Sequence, residues 1–448
     1  MNGLFTFIIF TTLKFFLSIL LLFVFFLNPS SQTYAEDNIT KPIQLESESK
    51  SSQNAEKLTL KQALDEAMEN NHHVKSAVAT LPVSEASLII AKYRPNPYVL
   101  SYRENAKGGA LHPVDAGKEF EIGRKRYWRI KLAKEQISKT ELEIAKVLWE
   151  IHTQVHSTYA SLAVGFELYK LAKARTDFYK SLVDIAEKRF QAGDVSKLEL
   201  DRAKMQLLSA ENDLSEFEGR LKRAKVNFNH DIGREPDSEI ILAEAEELKP
   251  KIKIQEYKPI KSIISEALNK RLEMAILEKD FGITRAELKK AEWERLPNLK
   301  LEVGPVKPNV SESFWGVYTA LGAEVPVFNR RQGEIKQAKA QVEYLEKERE
   351  RIEHDIKIDV ANSLQDLQVR EEQVQRFQEK LLGKSEDILE MIKTGYGKGK
   401  LSLTDVLNAE QQNRDLKEKY LGSLLNYQFG LASLEYAVGV PLYGLTEQ

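Results

Sequence analysis

The chain is 448 residues long, has no cysteine, and sets 65 Lys and Arg against 67 Asp and Glu for a formal net charge of −2. That balance leaves no basic footprint for nucleic acid. The missing cysteines exclude a disulfide frame, a thiolate metal site, a cysteine nucleophile and a lipid anchor on an N-terminal Cys.

The N-terminus reads as an address. Leu4 to Leu27 is almost continuously apolar, interrupted by Lys14, and is followed by Asn28-Pro29-Ser30-Ser31 and the small-residue ending Thr33-Tyr34-Ala35. Residues 1–35 therefore read as a signal peptide cleaved near Ala35. A retained membrane anchor is the alternative, since about 20 apolar residues span a bilayer. Residues 36–57 are rich in Ser, Glu, Lys and Gln without an apolar pattern and read as a flexible leader.

From there the chain repeats itself. Ala67, Ala86, Ala91 and Pro97 recur as Ala267, Ala286, Ala291 and Pro297, a constant offset of 200. Arg126, Ile130 and Ala133 recur at 205 as Arg331, Ile335 and Ala338, and Gly193, Ser196 and Gly233 recur at 206 as Gly399, Ser402 and Gly439. Register kept over this span predicts a duplicated unit. Repeat 1 covers 58–235, a linker or equatorial segment 236–259, repeat 2 260–442 and a short tail 443–448.

Each copy opens with one predicted helix, at Leu60, Ala63, Leu64 and Ala67 in the first and at Ile263, Ile264, Ala267 and Leu268 in the second. Two strands follow, Tyr98–Arg103 and Glu119–Ile122, where apolar and polar residues alternate. Next comes a proline-free run from Arg126 to Arg189, about 95 Å long as a helix at 1.5 Å per residue. Along it Ile144, Leu148, Ile151, Val155, Leu162, Phe166 and Tyr169 step as a coiled-coil seam. A glycine turn at Gly193 leads into a return helix ending near Gly233.

In the second copy Leu299–Val303 alternates, and Trp315, Val317, Thr319, Leu321, Ala323 and Val325 fall on one face of a longer strand. The long helix carries Val342, Leu345, Ile352, Ile356, Val360, Leu367, Val374, Phe377 and Leu381 on its seam. The strands suit either a soluble β-subdomain or a membrane barrel. Four strands cannot close a barrel, which needs about eight, so strands in lipid must be pooled among chains.

These residues resemble the TolC-type outer membrane efflux proteins. Leu58-Thr59-Leu60-Lys61-Gln62-Ala63-Leu64 with Glu69-Asn70-Asn71 is similar to their opening, and the resemblance covers residues 57–442, duplication included. Glu121-Ile122-Gly123-Arg124-Lys125-Arg126 and the stretch Val325–Ile335, with Asn329, Arg331 and Gly333, resemble the strand-to-helix junctions of the heavy-metal-efflux branch. The resemblance implies a mainly α fold with a small β part: a homo-trimer whose coiled-coil helices form an α-barrel continued by a β-barrel in outer-membrane lipid. It implies a periplasmic adaptor (membrane fusion) protein and an inner-membrane pump of the resistance-nodulation-division type as partners. The chain would then be a passive exit duct for exported substrates, metal cations among the candidates.

By the same resemblance Phe190, Gly193, Val195, Ser196, Tyr396, Gly399, Leu401 and Ser402 are adaptor-docking candidates at two hairpin tips. Asp405 matches an acidic position at the periplasmic entrance, while the second acidic position of that pattern is Asn408 here. His152 and His156 stand one helical turn apart, a spacing compatible with a shared metal, with no third ligand in sequence. No H-E-x-x-H, G-x-S-x-G or phosphate-cradling glycine loop occurs, so no enzyme activity, cofactor or resident metal is predicted. A periplasmic coiled-coil scaffold or adaptor, held in the inner membrane by the N-terminal segment, is the competing reading.

Overall fold

The computed structural model describes residues 57–103, 110–242, 248–250, 258–307, 314–380 and 382–440. The signal peptide, nearly all of the leader, parts of the linker and the tail lie outside the described residues.

The first copy runs α1 (Leu60–Asn70), α2 (His72–Val78), α3 (Leu81–Lys92), β1 (Tyr98–Arg103), β2 (Leu111–Phe120), α4 (Lys125–Gln191) and α5 (Lys197–Ile232). The second runs α6 (Ile260–Lys270), α7 (Leu272–Glu294), β3 (Leu299–Val306), β4 (Gly316–Ala323), α8 (Gln332–Lys380), α9 (Leu382–Gly397) and α10 (Leu403–Val438). The 67 residues of α4 make a rod of roughly 100 Å.

The opening helix of each copy is broken where one continuous helix was predicted. Asn71 (φ −60°, ψ 130°) and Arg271 (φ −62°, ψ 131°), 200 residues apart, leave the helical region in the same way. Asn71 stabilises its break by accepting from the His73 and Val74 amides through Oδ1, and its Nδ2 donates to the Asp231 carbonyl at 2.7 Å. Arg271 does so with ion pairs to Glu273 and Asp359. A further break separates α2 from α3, where Pro82 sits in the first turn of α3.

The main core is built from both copies at matching positions: Ala67 with Ala267, Val155 with Val360, and Leu162 with Leu367. A second core at the far end of the rods joins Tyr179, Leu182, Leu200, Tyr396, Leu403 and Val406.

The four strands form one antiparallel sheet in the order β1-β2-β3-β4, so the copies join edge to edge at β2 and β3. The second strand is longer than predicted, starting at Leu111, and the fourth is shorter, leaving Trp315 and Val325 just outside it. The early half of β2 hides because Leu100 opposes Asp115 while Tyr102 opposes His112, so β2 carries one extra residue there. Such a bulge shifts the alternation by one, and it gives Pro113 a place in a strand where its missing N–H breaks no regular ladder.

Gly233 ends α5 at φ +79°, and a Cβ there would run into the Asn70 carbonyl; its repeat mate Gly439 ends α10 against Arg271. Each copy is thus closed by its last helix abutting the break in its first. Gly193 has an equally positive φ of +83° but nothing within 4 Å of an added Cβ. Replacing Gly193 by Ala should therefore cost only the backbone strain, about 1 kcal/mol, and Gly233→Ala about 2 kcal/mol or more. Thermal unfolding in detergent measures both, and equal midpoints would refute this closure.

Candidate functional site

The sheet separates two chemistries. One face presents Val99, Ala116, Val303 and Thr319 in register, then Leu301 and Leu321, then Phe120, Leu299 and Ala323. It is bare: Val317, Leu321 and Val99 are 74%, 72% and 71% exposed. Phe314 and Trp315 stand exposed at the hairpin rim of this band, and Phe120, Val325 and Phe328 at the helix rim, with Phe328 93% exposed. Lys118, Arg103 and Lys307 are charged residues on this face, each toward a rim.

The opposite face is polar. Tyr98, Gly117 and Glu302 share one row, with the Tyr98 hydroxyl donating to Glu302 at 2.7 Å, and Glu119 faces Lys300 in the next. An apolar outside with aromatic rims over a polar inside is the pattern of a lipid-facing barrel wall.

At the strand-to-helix junction Lys125 is buried, and its Nζ donates to the Leu296 carbonyl at 2.6 Å and to Asn298 Oδ1 at 2.5 Å. Asn298 in turn donates to Glu119 at 2.7 Å, so one ammonium ties the start of α4 to both β2 and β3. Gly123 (φ +79°) leaves room for Trp293, Arg126 donates to the Lys92 carbonyl at 2.9 Å, and Arg129 makes a forked pair with Glu121. The second junction is looser. Asn329 accepts from the Arg331 amide at 3.0 Å, Arg331 has φ +56° and pairs with Glu334, and Gly333 lies in open space.

The two tips share one backbone. Asp194 N donates to Arg189 O and Lys400 N to Gly395 O, each at 2.9 Å, across Gly193 and Gly399 in the left-handed region. Ser196 and Ser402 then cap the return helices by accepting from the Glu199 and Asp405 amides.

Their side chains differ. Phe190, Gly193, Ser196, Gly399, Leu401 and Ser402 are exposed and Val195 half-buried, but Tyr396 is fully buried. It is held inside the tip rather than offered on its surface. Its hydroxyl donates to Glu199 at 3.0 Å, and the Arg189 guanidinium lies 4.8 Å from its ring centroid. Burial and then the Glu199 hydrogen bond push the Tyr396 phenol up to about 12, so it stays a donor.

Asp405 serves locally. Its carboxylate accepts from the Ser402 amide at 3.0 Å and hydroxyl at 2.7 Å, which holds its pKa below the usual range, while Asn408 is exposed beside it.

Further along the rods α4 and α10 are joined twice. Tyr179 donates to Glu410 at 2.5 Å, and Glu410 pairs with Arg175 at 3.3 Å. His156 lies 3.3 Å from Glu435 through Nδ1 and 3.0 Å from Gln428 Oε1 through Nε2, so both its ring nitrogens are engaged. His152 stacks instead on Trp149 at 4.8 Å. Among the described residues no group of three His, Cys, Asp or Glu side chains is arranged to hold a metal.

The sequence profile of a family described as outer membrane efflux protein matches residues 114–233 and 263–440, one stretch in each copy. The chain belongs to the outer membrane efflux protein family. It is 24% identical over 373 residues to the cobalt-zinc-cadmium resistance protein CzcC of Cupriavidus metallidurans, covering 82% of this chain and 86% of that one. Among solved structures, CusC superposes with a TM-score of 0.69 at 18% identity, over 87% of this chain and 96% of that chain. The open-state MtrE outer membrane channel of Neisseria gonorrhoeae superposes with a TM-score of 0.67 at 16% identity, over 86% and 89%. The fold is therefore that of the TolC-type channels.

In this efflux protein the residues missed in sequence are the partners rather than the candidates: Arg189, Glu199, Tyr179, Glu410 and Glu435. Glu199 carried a signal, since it lies 206 residues before Asp405 and occupies the same place after the capping serine.

Burial pulls the His156 pKa down, but the hydrogen bond and charge of Glu435, helped by Gln428, outweigh it and raise the value. A raised histidine adds stability that is complete below its unfolded pKa, about 6.5, and is lost as pH rises through the folded value. The melting temperature of wild type should thus fall across this window relative to Glu435→Gln, in which His156 lacks its anion. Parallel pH profiles would disprove the assignment.

Proposed function

We propose that the chain is one subunit of a homo-trimeric exit duct in the outer membrane, exported by a cleaved signal and extended by its helices into the periplasm. The observation that carries this reading is the sheet: a bare apolar band with aromatic rims, a polar reverse face, and two edges, β1 and β4, beyond which no further strand pairs among the described residues. Unpaired backbone in lipid costs several kcal/mol per group, so the edges must meet those of other copies. β4 of one chain meets β1 of the next in antiparallel sense, and three copies of the four-stranded sheet close a twelve-stranded wall.

The helices support the same closure. In the second copy α7 packs between α4 and α8, with Leu277, Phe281 and Leu345 forming a core. Its repeat mate α3 packs mainly on α4 and leaves Val83 and Ile90 exposed, so the missing neighbour is the α8 of an adjacent copy. A periplasmic scaffold or adaptor held in the inner membrane by its N-terminal segment has no use for the apolar band, which disfavours the competing reading.

In this duct the tips meet a periplasmic adaptor through Phe190, Val195, Ser196, Leu401 and Ser402, around the turns at Gly193 and Gly399. Asp405 and Asn408 lie at the entrance, and the energy comes from an inner-membrane pump of the resistance-nodulation-division type. Likeness to a cobalt-zinc-cadmium resistance protein supports metal cations as cargo. The duct itself conducts and performs no chemistry.

The protein should fractionate with outer membranes and run as a trimer in detergent. A strain lacking it should lose tolerance to cobalt, zinc or cadmium more than to drugs. A soluble monomer would overturn the duct, and selective drug sensitivity would overturn the cargo.

The Tyr396–Glu199 latch joins the second tip to the first and holds the entrance closed. A hydrogen bond to a charged group contributes about 1.5–3 kcal/mol, so Tyr396→Phe or Glu199→Gln should shift the closed-to-open balance about 10- to 100-fold. Single-channel conductance in planar bilayers reads this, and wild-type conductance in both variants would exclude the latch.

A further inference from the structure

We propose that the polar face of the sheet carries a divalent transition-metal site formed by His112 and Asp115, near the hairpin end of the strands. The inference rests on that face being the inner wall of a metal-exporting duct.

Three features bring these side chains together. The bulge in β2 sets Asp115 opposite Leu100 and His112 opposite Tyr102, so two residues three apart fall on one face where a regular strand would send them to opposite faces. Gly304 on β3 leaves the space that Asp115 fills, since a Cβ there would collide with Asp115 Oδ1. Tyr102 stacks on the His112 ring at 4.1 Å, and Tyr318 meets it edge-on at 4.6 Å.

The result is buried and unsatisfied. His112 is 2% exposed and Asp115 0%, yet His112 Nδ1 and both Asp115 oxygens have no hydrogen-bond partner. A buried carboxylate without a donor is costly, and nearly all such groups are paired. Nδ1 and Oδ2 are 3.2 Å apart without the alignment of a hydrogen bond. Two donors bound to one tetrahedral ion at 2.0–2.1 Å lie about 3.3 Å apart, so a shared cation fits where the direct bond is poor.

An imidazole with a carboxylate suits zinc, cobalt or copper and is a poor match for magnesium, which takes oxygen donors alone. Two protein donors leave the remaining coordination positions to water, which enters as the partly exposed Tyr102 ring moves off the His112 ring. Such a site is weak, as a conduit requires, because an ion on a transport path must be released again.

The test uses the full mature protein, purified as its oligomer and titrated with Co²⁺, whose visible absorption changes when an imidazole and a carboxylate replace water. Wild type should take up one ion per chain at this site, unaffected by excess Mg²⁺. Asp115→Asn, His112→Gln and Gly304→Ala should each weaken uptake about tenfold or more. An aquo-ion spectrum with wild type, or variants that bind like wild type, would overturn the site and leave His112–Asp115 a packing pair.

Should the variants fail to fold, wild-type crystals soaked in Zn²⁺ decide the question. An anomalous peak about 2.0–2.2 Å from His112 Nδ1 supports the site, and its absence at saturation overturns it. Metal tolerance of the deletion strain is a separate readout. Restored tolerance alongside an empty site refutes this inference and leaves the export reading standing.

Discussion

The sheet is unfinished, and the rest of the structure follows from that. Among the described residues its outer strands β1 and β4 each pair with a strand on one side only, and the face between them is largely apolar. Water could satisfy those edges but would be repelled by that face, while lipid suits the face but cannot satisfy the edges. Only further copies of the same wall reconcile the two demands. The same incompleteness recurs in the rods, where α3 lacks on one side the neighbour that α7 has. On the proposed reading the subunit is a segment of a cylinder rather than a body with a private interior.

Duplication supplies the frame, and the differences between the copies supply the candidate sites. Gly193 and Gly399 turn the chain identically, but Phe190 points outward while its mate Tyr396 is buried against Glu199 and Arg189. Buried Lys125 fastens the first junction, whereas the second relies on half-buried Arg331 and exposed Glu334. The bulge that joins His112 to Asp115 lies in β2, whereas β3 and β4 pair without interruption. A repeat preserved for packing needs no such departures, so the positions where mates diverge are where the two halves carry different duties.

Long-period signals were legible in the sequence because they repeat. The heptad seam of α4 extends over many turns, and Val155 and Leu162 on it are buried as the pattern requires. Short irregular signals were not. The first half of β2 reads His112-Pro113-Val114-Asp115, where a proline, two polar residues and a bulge erase the two-residue alternation. The breaks at Asn71 and Arg271 depend on partners as distant as Asp231 and Asp359, which no local pattern reveals. Tyr396 showed the same limit: its place in the turn was readable, but its burial depends on two residues some 200 positions earlier.

The proposed duct must be permanent at one end and reversible at the other, and the interactions divide accordingly. Opening the sheet would expose a full ladder of backbone groups to lipid, so the barrel wall cannot serve as the gate. At the tips the two hairpins are held to each other by a few side-chain contacts: one phenol on one carboxylate and one guanidinium over one ring. Each hydrogen bond of that kind contributes only a few kcal/mol, within the reach of an adaptor that binds the open form more tightly. Motion therefore belongs where water can replace each contact as it breaks, at the periplasmic ends of the rods, and the buried His156–Glu435 and Tyr179–Glu410 links mark how far from the tip the helices stay joined.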